Sequence, residues 1–136
     1  MPAGGDLMQK DDFFTILVVD GVADDPGLFD EFLKSEGHFT FRAESAQDAL
    51  EKTRKYEPDL ILLGCDMPDV NCVELLPQLL MVQPSAAVIV VASHPTTREA
   101  VQAMKLGAMD FLLYPLDLKE LKAAIDYHKA LFKTHD

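Results

Sequence analysis

The residues that could do chemistry gather at the ends of short apolar runs. Asp20 closes TILVVD and is followed by Gly21. Gly64 closes DLILLG and is followed by Cys65 and Asp66. Ala92 closes AVIVVA with Ser93 behind it, and Tyr114 precedes Pro115. Asp20 and Asp66 are two carboxylates that could hold a weak divalent cation, with Ser93 offering a hydroxyl beside them. Each also has a plainer role: Asp66 as a solvated loop acid, Ser93 as a polar strand end, Asp20 as an acceptor for neighbouring backbone amides. His38, His94, His128 and His135 are scattered, and no nucleophile–His–acid set is visible. VDGVADDPG places acids where a glycine-rich phosphate loop would need GxGxxG or a P-loop pattern. Cys65 and Cys72 have no zinc-ligand spacing. A disulfide is not expected of them, and as redox sensors they lack a neighbour that would favour the thiolate.

The elements that must position these residues alternate. Five runs read as strands: Thr15–Asp20, His38–Arg42, Asp59–Gly64, Ala87–Ala92 and Met109–Tyr114. The first, third and fourth are continuously apolar, as parallel strands covered on both faces require. Helical stripes lie between them. Pro26 opens one, with Asp24 and Asp25 in the turn before it, and it carries Leu28, Phe29, Phe32 and Leu33 to a stop at Gly37. Ser45 with Asp48, Thr96 with Glu99 and Asp117 with Glu120 resemble capping boxes. Ala100, Val101 and Met104 form an apolar stripe closed by Gly107, and Leu118, Leu121, Ala124, Ile125 and Leu131 form the last. Pro77 interrupts the third helix, about Val73 to Val82, predicting a late start or a kink. Five β–α cycles imply a parallel sheet with right-handed crossovers and helices on both faces. The working crevice of such a sheet lies at the carboxyl ends of its strands, where the residues above collect.

Composition sets the limits. The chain has 136 residues, 49% hydrophobic and 26% charged, which suits one globular domain. A formal charge of −11 opposes a phosphate backbone, so direct nucleic-acid binding by this domain is not expected. No apolar run approaches the ~20 residues of a membrane span. The polar stretch from Met1 to Asp12 lacks the basic start and apolar core of a signal peptide, and residues 1–14 read as a flexible tail. Residues 15–132 read as the domain, and 133–136 as an end that would open a linker to an output domain. Two cysteines and no secretory signal fit a reducing cytoplasm.

ILVVDG, DLILLGCDMPDVNCVELL and VIVVAS with EAVQAMKLGAMDFLLYPLDLKEL resemble the receiver domains of bacterial two-component response regulators. The last stretch is most similar to receivers attached to enhancer-binding, nitrogen-regulatory type transcription activators. The likeness covers about residues 15 to 130, and spacing agrees: 44 residues from Asp20 to Gly64, 28 from Gly64 to Ala92 and 22 from Ala92 to Tyr114. It implies a flavodoxin-like (βα)5 three-layer sandwich with strand order 2-1-3-4-5.

The family's phosphoryl transfer uses two acids after strand one for magnesium and an aspartate ending strand three as acceptor. A Thr or Ser ending strand four and a Lys before the proline after strand five hold the transferred group. Only Asp20 survives at these positions; Gly21, Gly64, Ala92 and Tyr114 occupy the others. The resemblance therefore implies a degenerate receiver with no catalytic residue, no expected cofactor or magnesium, and a protein partner or its own output domain as target. Tyr114 either fills the space of the missing groups or presents its hydroxyl to water. Tyr114–Pro115 matches a bond that is typically cis in the family. Phe111 matches an aromatic switch position but reads as core packing. The family's dimer or output face would carry Arg98, Gln102, Lys105, Phe111, Lys119, Lys122 and Asp126. Two competing readings are a receiver still phosphorylated through Asp20 and Asp66, and a small flavodoxin-like cofactor binder.

Overall fold

The computed structural model describes residues 14–19, 26–65, 71–114 and 116–134. Strand β1 (Thr15–Val19) leads to α1 (Pro26–Ser35), β2 (Phe39–Ala43), α2 (Ala46–Tyr56), β3 (Leu60–Gly64) and α3 (Cys72–Val82). Then come β4 (Ala87–Ala92), α4 (Thr97–Lys105), β5 (Asp110–Leu113) and α5 (Leu118–Thr134). The five strands form one sheet in the order β2-β1-β3-β4-β5, every pairing parallel. This is the expected doubly wound arrangement.

The continuous apolar runs become central strands because each face has a helix layer to meet. Ile16, Val18, Leu60, Leu62, Ile89 and Val91 pack with Leu33 of α1 and Leu121, Ala124 and Ile125 of α5. Leu17, Val19, Ile61, Leu63, Val88 and Val90 point the other way, onto Ala49 of α2, Leu75, Leu76 and Leu79 of α3, and Ala103 of α4. The two-residue period of a strand thus splits each run between two cores. Each fully buried Leu, Ile or Val contributes about 1.5–3 kcal/mol relative to exposure. β2 and β5 lie at the edges and are only partly buried.

The ends of three strands shift from the sequence expectation. His38 stays outside β2, its backbone N–H donating to Leu33 O and its Nδ1 accepting from the Phe14 N–H at 3.0 Å. Asp59 precedes β3, its carboxylate accepting from the Thr15 N–H at 2.9 Å. β5 is shortened at both ends to Asp110–Leu113. Pro77 neither delays nor divides α3, which runs unbroken from Cys72 to Val82 behind an Asn71 cap. Thr96 and Glu99 complete a reciprocal capping box. Ser45 accepts from Asp48 N–H, while the Asp48 carboxylate reaches Glu44 N–H. Asp117 caps α5 through the Lys119 N–H. Gly107 is required by its φ of +113° and by Leu80 Cδ1, which a Cβ would meet at 2.8 Å.

Candidate functional site

Strand register brings three of the family's positions to one end of the sheet. Gly64 pairs with Val91, and Ala92 pairs with Leu113. The Tyr114 N–H then donates to Ala92 O at 2.8 Å. Gly64 is buried and Ala92 is 4% exposed. At the ends of β3 and β4, therefore, the chain offers a bare backbone and a methyl group. Neither can attack a phosphoryl donor or coordinate a cation through its side chain. Tyr114 is half-buried and packs against the cluster that contains Leu116 and Leu121. Its ring thus serves as part of the α1–α5 core where an ammonium would have faced the crevice. Phe111 packs, half-buried, onto the opposite cluster, as expected of a core residue.

Asp20, Gly21, Asp24, Asp25, Asp66 and Pro115 lie outside the described residues, so neither the two-carboxylate cation site nor the peptide geometry at Pro115 is placed. Among the described residues no group of three or more His, Cys, Asp or Glu could hold a metal ion. Gly64 has no side chain, and Ala92 and Tyr114 bring neither a carboxylate nor an ammonium to this end of the sheet. Ser93 follows Ala92, half-buried.

The cysteines depart from expectation. Cys65 and Cys72 form a disulfide, with Cα atoms 4.9 Å apart. A separation of 7 residues hides how the chain returns: Cys72 is the first residue of α3, and that helix begins beside the end of β3. The Cys65 N–H donates to Val91 O at 2.9 Å, so the bonded cysteine is itself anchored to β4.

The histidines also depart from expectation, because two of them pack against the same ring. Phe14 stacks on His38 with ring centroids 5.7 Å apart and lies 5.1 Å from His128. This cluster sits by the amino ends of the strands, away from the crevice. Burial holds His38 below its ordinary 6.5, with Lys129 adding to the effect; burial also lowers His128, against the opposing pull of Asp59. His94 is exposed.

On the anticipated interaction face, Arg98, Gln102, Lys105 and Lys119 are exposed. Lys122, also exposed, is tied to Glu36 just past the end of α1 and to Asp126, at 3.0 and 3.3 Å. It and Asp126 are part of the α1–α5 seam. The α4 stripe is corrected as well: Ala103 is the buried residue, while Val101 and Met104 are 45% and 47% exposed. Leu106 and Leu113 are exposed too, and Leu131, expected in the core, lies outside it. Ala100, Val101, Met104 and Lys105 line a shallow depression on this surface. Among the described residues, no helix is long and apolar enough to cross a membrane.

Comparison with known proteins agrees with this geometry. The family described as response regulator receiver domain matches residues 16–126. Transcriptional regulatory protein ZraR of Escherichia coli K12 is 32% identical over 124 residues, covering 91% of this chain and 28% of the relative. The chain thus spans less than a third of that relative's length. Sporulation initiation phosphotransferase F of Bacillus subtilis is 28% identical, covering 81% of this chain and 89% of the relative. Among solved structures, the signal receiver domain of a putative LuxO repressor protein from Vibrio parahaemolyticus superposes with a TM-score of 0.81 at 26% identity. It covers 90% of this chain and 95% of its own. With the strand order and the family match in agreement, the chain belongs to the receiver domains of two-component response regulators.

Proposed function

We propose that this receiver is a phosphorylation-independent protein-interaction module in transcription regulation. The observation that carries the reading is Gly64, buried at the end of β3 where the family places its phosphoacceptor. Ala92 and Tyr114 remove the hydroxyl and the ammonium that would hold a transferred group, forfeiting charge-assisted bonds of about 1.5–3 kcal/mol each. The regulatory setting follows from the transcriptional regulator named above. The partner is a protein, either the chain's own output domain or a second copy docked on the face of α4, β5 and α5. The exposed Val101, Met104, Leu106 and Leu113 support that face. The domain does not bind nucleic acid itself, catalyses no reaction, needs no cofactor and works in the cytoplasm.

Intact-mass spectrometry after incubation with acetyl phosphate and magnesium tests the reading. The expected result is an unchanged mass. A stoichiometric phosphoryl adduct, localised to Asp66 or any other acid, contradicts it.

A further inference from the structure

We propose that Cys65 and Cys72 are a reversible thiol–disulfide site that sets the conformation of the strand-end crevice by exchange with small-molecule disulfides of the glutathione class. Three observations carry this. The bond joins the residue after Gly64 to the first residue of α3, so its formation fixes that helix start against the end of β3. Cys65 is bonded through its N–H to Val91 O, and the next residue of β4, Ala92, accepts from the Tyr114 N–H. A change at the sulfur is therefore linked by backbone hydrogen bonds across β3, β4 and the end of β5. Finally, the sheet does not depend on the bond for its core: fully buried Leu, Ile and Val side chains fill both faces. A staple is chiefly needed where a core is too small, which is not the case here.

The two sulfurs are placed for different parts in the exchange. Cys65 is half-buried at the crevice, whereas Cys72 is 4% exposed and opens a helix. In oxidation, the Cys65 thiolate attacks a small disulfide RSSR, giving the mixed disulfide and RS⁻. Cys72 thiolate then attacks the Cys65 sulfur, forming the protein disulfide and releasing a second RS⁻. Each RS⁻ takes up the proton that a cysteine gave up. Two protein thiols and one RSSR thus become one protein disulfide and two RSH, with two electrons passing to the small molecule. In reduction, a small thiolate attacks Cys65 and Cys72 departs as the anion, which the positive end of α3 favours.

The test equilibrates the 15N-labelled chain across glutathione buffers from a reducing cytosolic poise to the more oxidising poise of a secretory lumen. Thiols are trapped with maleimide for mass analysis and amide spectra are recorded in parallel. The expected result is two maleimides per chain at the reducing end and none at the oxidising end. The amides of Gly64, Val91, Ala92 and Tyr114 should shift with the same midpoint. Cys72→Ser should accumulate a glutathione adduct on Cys65. A pair that stays disulfide, or stays dithiol, across the whole range overturns the proposal. So does a redox transition that leaves the β4 and Tyr114 amides unmoved, or a Cys72→Ser chain that takes no adduct.

Discussion

The backbone N–H of Tyr114 donates to the carbonyl of Ala92 at 2.8 Å, joining two positions at which the family's phosphoryl-binding side chains are replaced. The backbone frame of a receiver is thus kept while two of its phosphoryl-binding side chains are not. Apolar packing builds that frame: Ala92 is buried, and the Tyr114 ring lies against the α1–α5 core. Chemistry in this family needs several groups acting together, so restoring one should restore little.

Gly64→Asp is the direct case. It supplies the acceptor carboxylate but leaves it without the hydroxyl or ammonium. It also places a charge in a fully buried strand end. The variant should remain unphosphorylated by acetyl phosphate, read by intact mass. It should also lose about 1–3 kcal/mol of stability, read by urea denaturation.

Acid should weaken the amino-end cluster. Burial lowers the folded-state values of His38 and His128 below their ordinary 6.5. The unfolded chain therefore takes up protons first as pH falls. The contribution of these neutral rings is intact above about 6.5 and is lost as pH drops through their lower folded values. Protonation of His38 also removes the Nδ1 acceptor of the Phe14 N–H. Urea midpoints measured from pH 7.5 down to pH 5 should fall for the native chain. The fall should be smaller for His38→Gln/His128→Gln.

Reduction should loosen the fold without undoing it. Closing the short loop between Cys65 and Cys72, 7 residues apart, contributes about 2.5 kcal/mol by loop entropy. Calorimetry with and without a phosphine reductant should show a Tm lower by several degrees in the reduced chain. Cys65→Ser/Cys72→Ser should show no response to reductant.

Much of this was legible in the sequence, and the rest failed for identifiable reasons. The run Ala87–Ala92 is strand β4 to the residue, because continuous burial leaves no ambiguity of face. Thr96 and Glu99 announced α4 because a capping box is local in the chain. Orientation of that helix was not local. Its apolar residues are spread widely enough that either Ala103 or the Val101–Met104 edge could face inward, and packing on α3 and β5 selects Ala103. The Phe14 contacts with His38 and His128 and the Cys65–Cys72 bond depend on how the sheet folds back on itself. Spacing along the chain carries no sign of either. At the site, the replacements Gly64, Ala92 and Tyr114 were readable from the motif resemblance, and strand register then brings them to one end of the sheet. The inward packing of the Tyr114 ring required the fold.

An amide NMR titration with magnesium, followed by magnesium plus beryllofluoride as a mimic of an aspartyl phosphoryl group, tests the central claim most directly. A receiver without phosphoryl chemistry predicts flat spectra at millimolar metal, with Gly64, Ala92 and Tyr114 unmoved. Saturable shifts centred on Asp20, Asp66 and Ser93 would mean that the site has been rebuilt and would contradict the account.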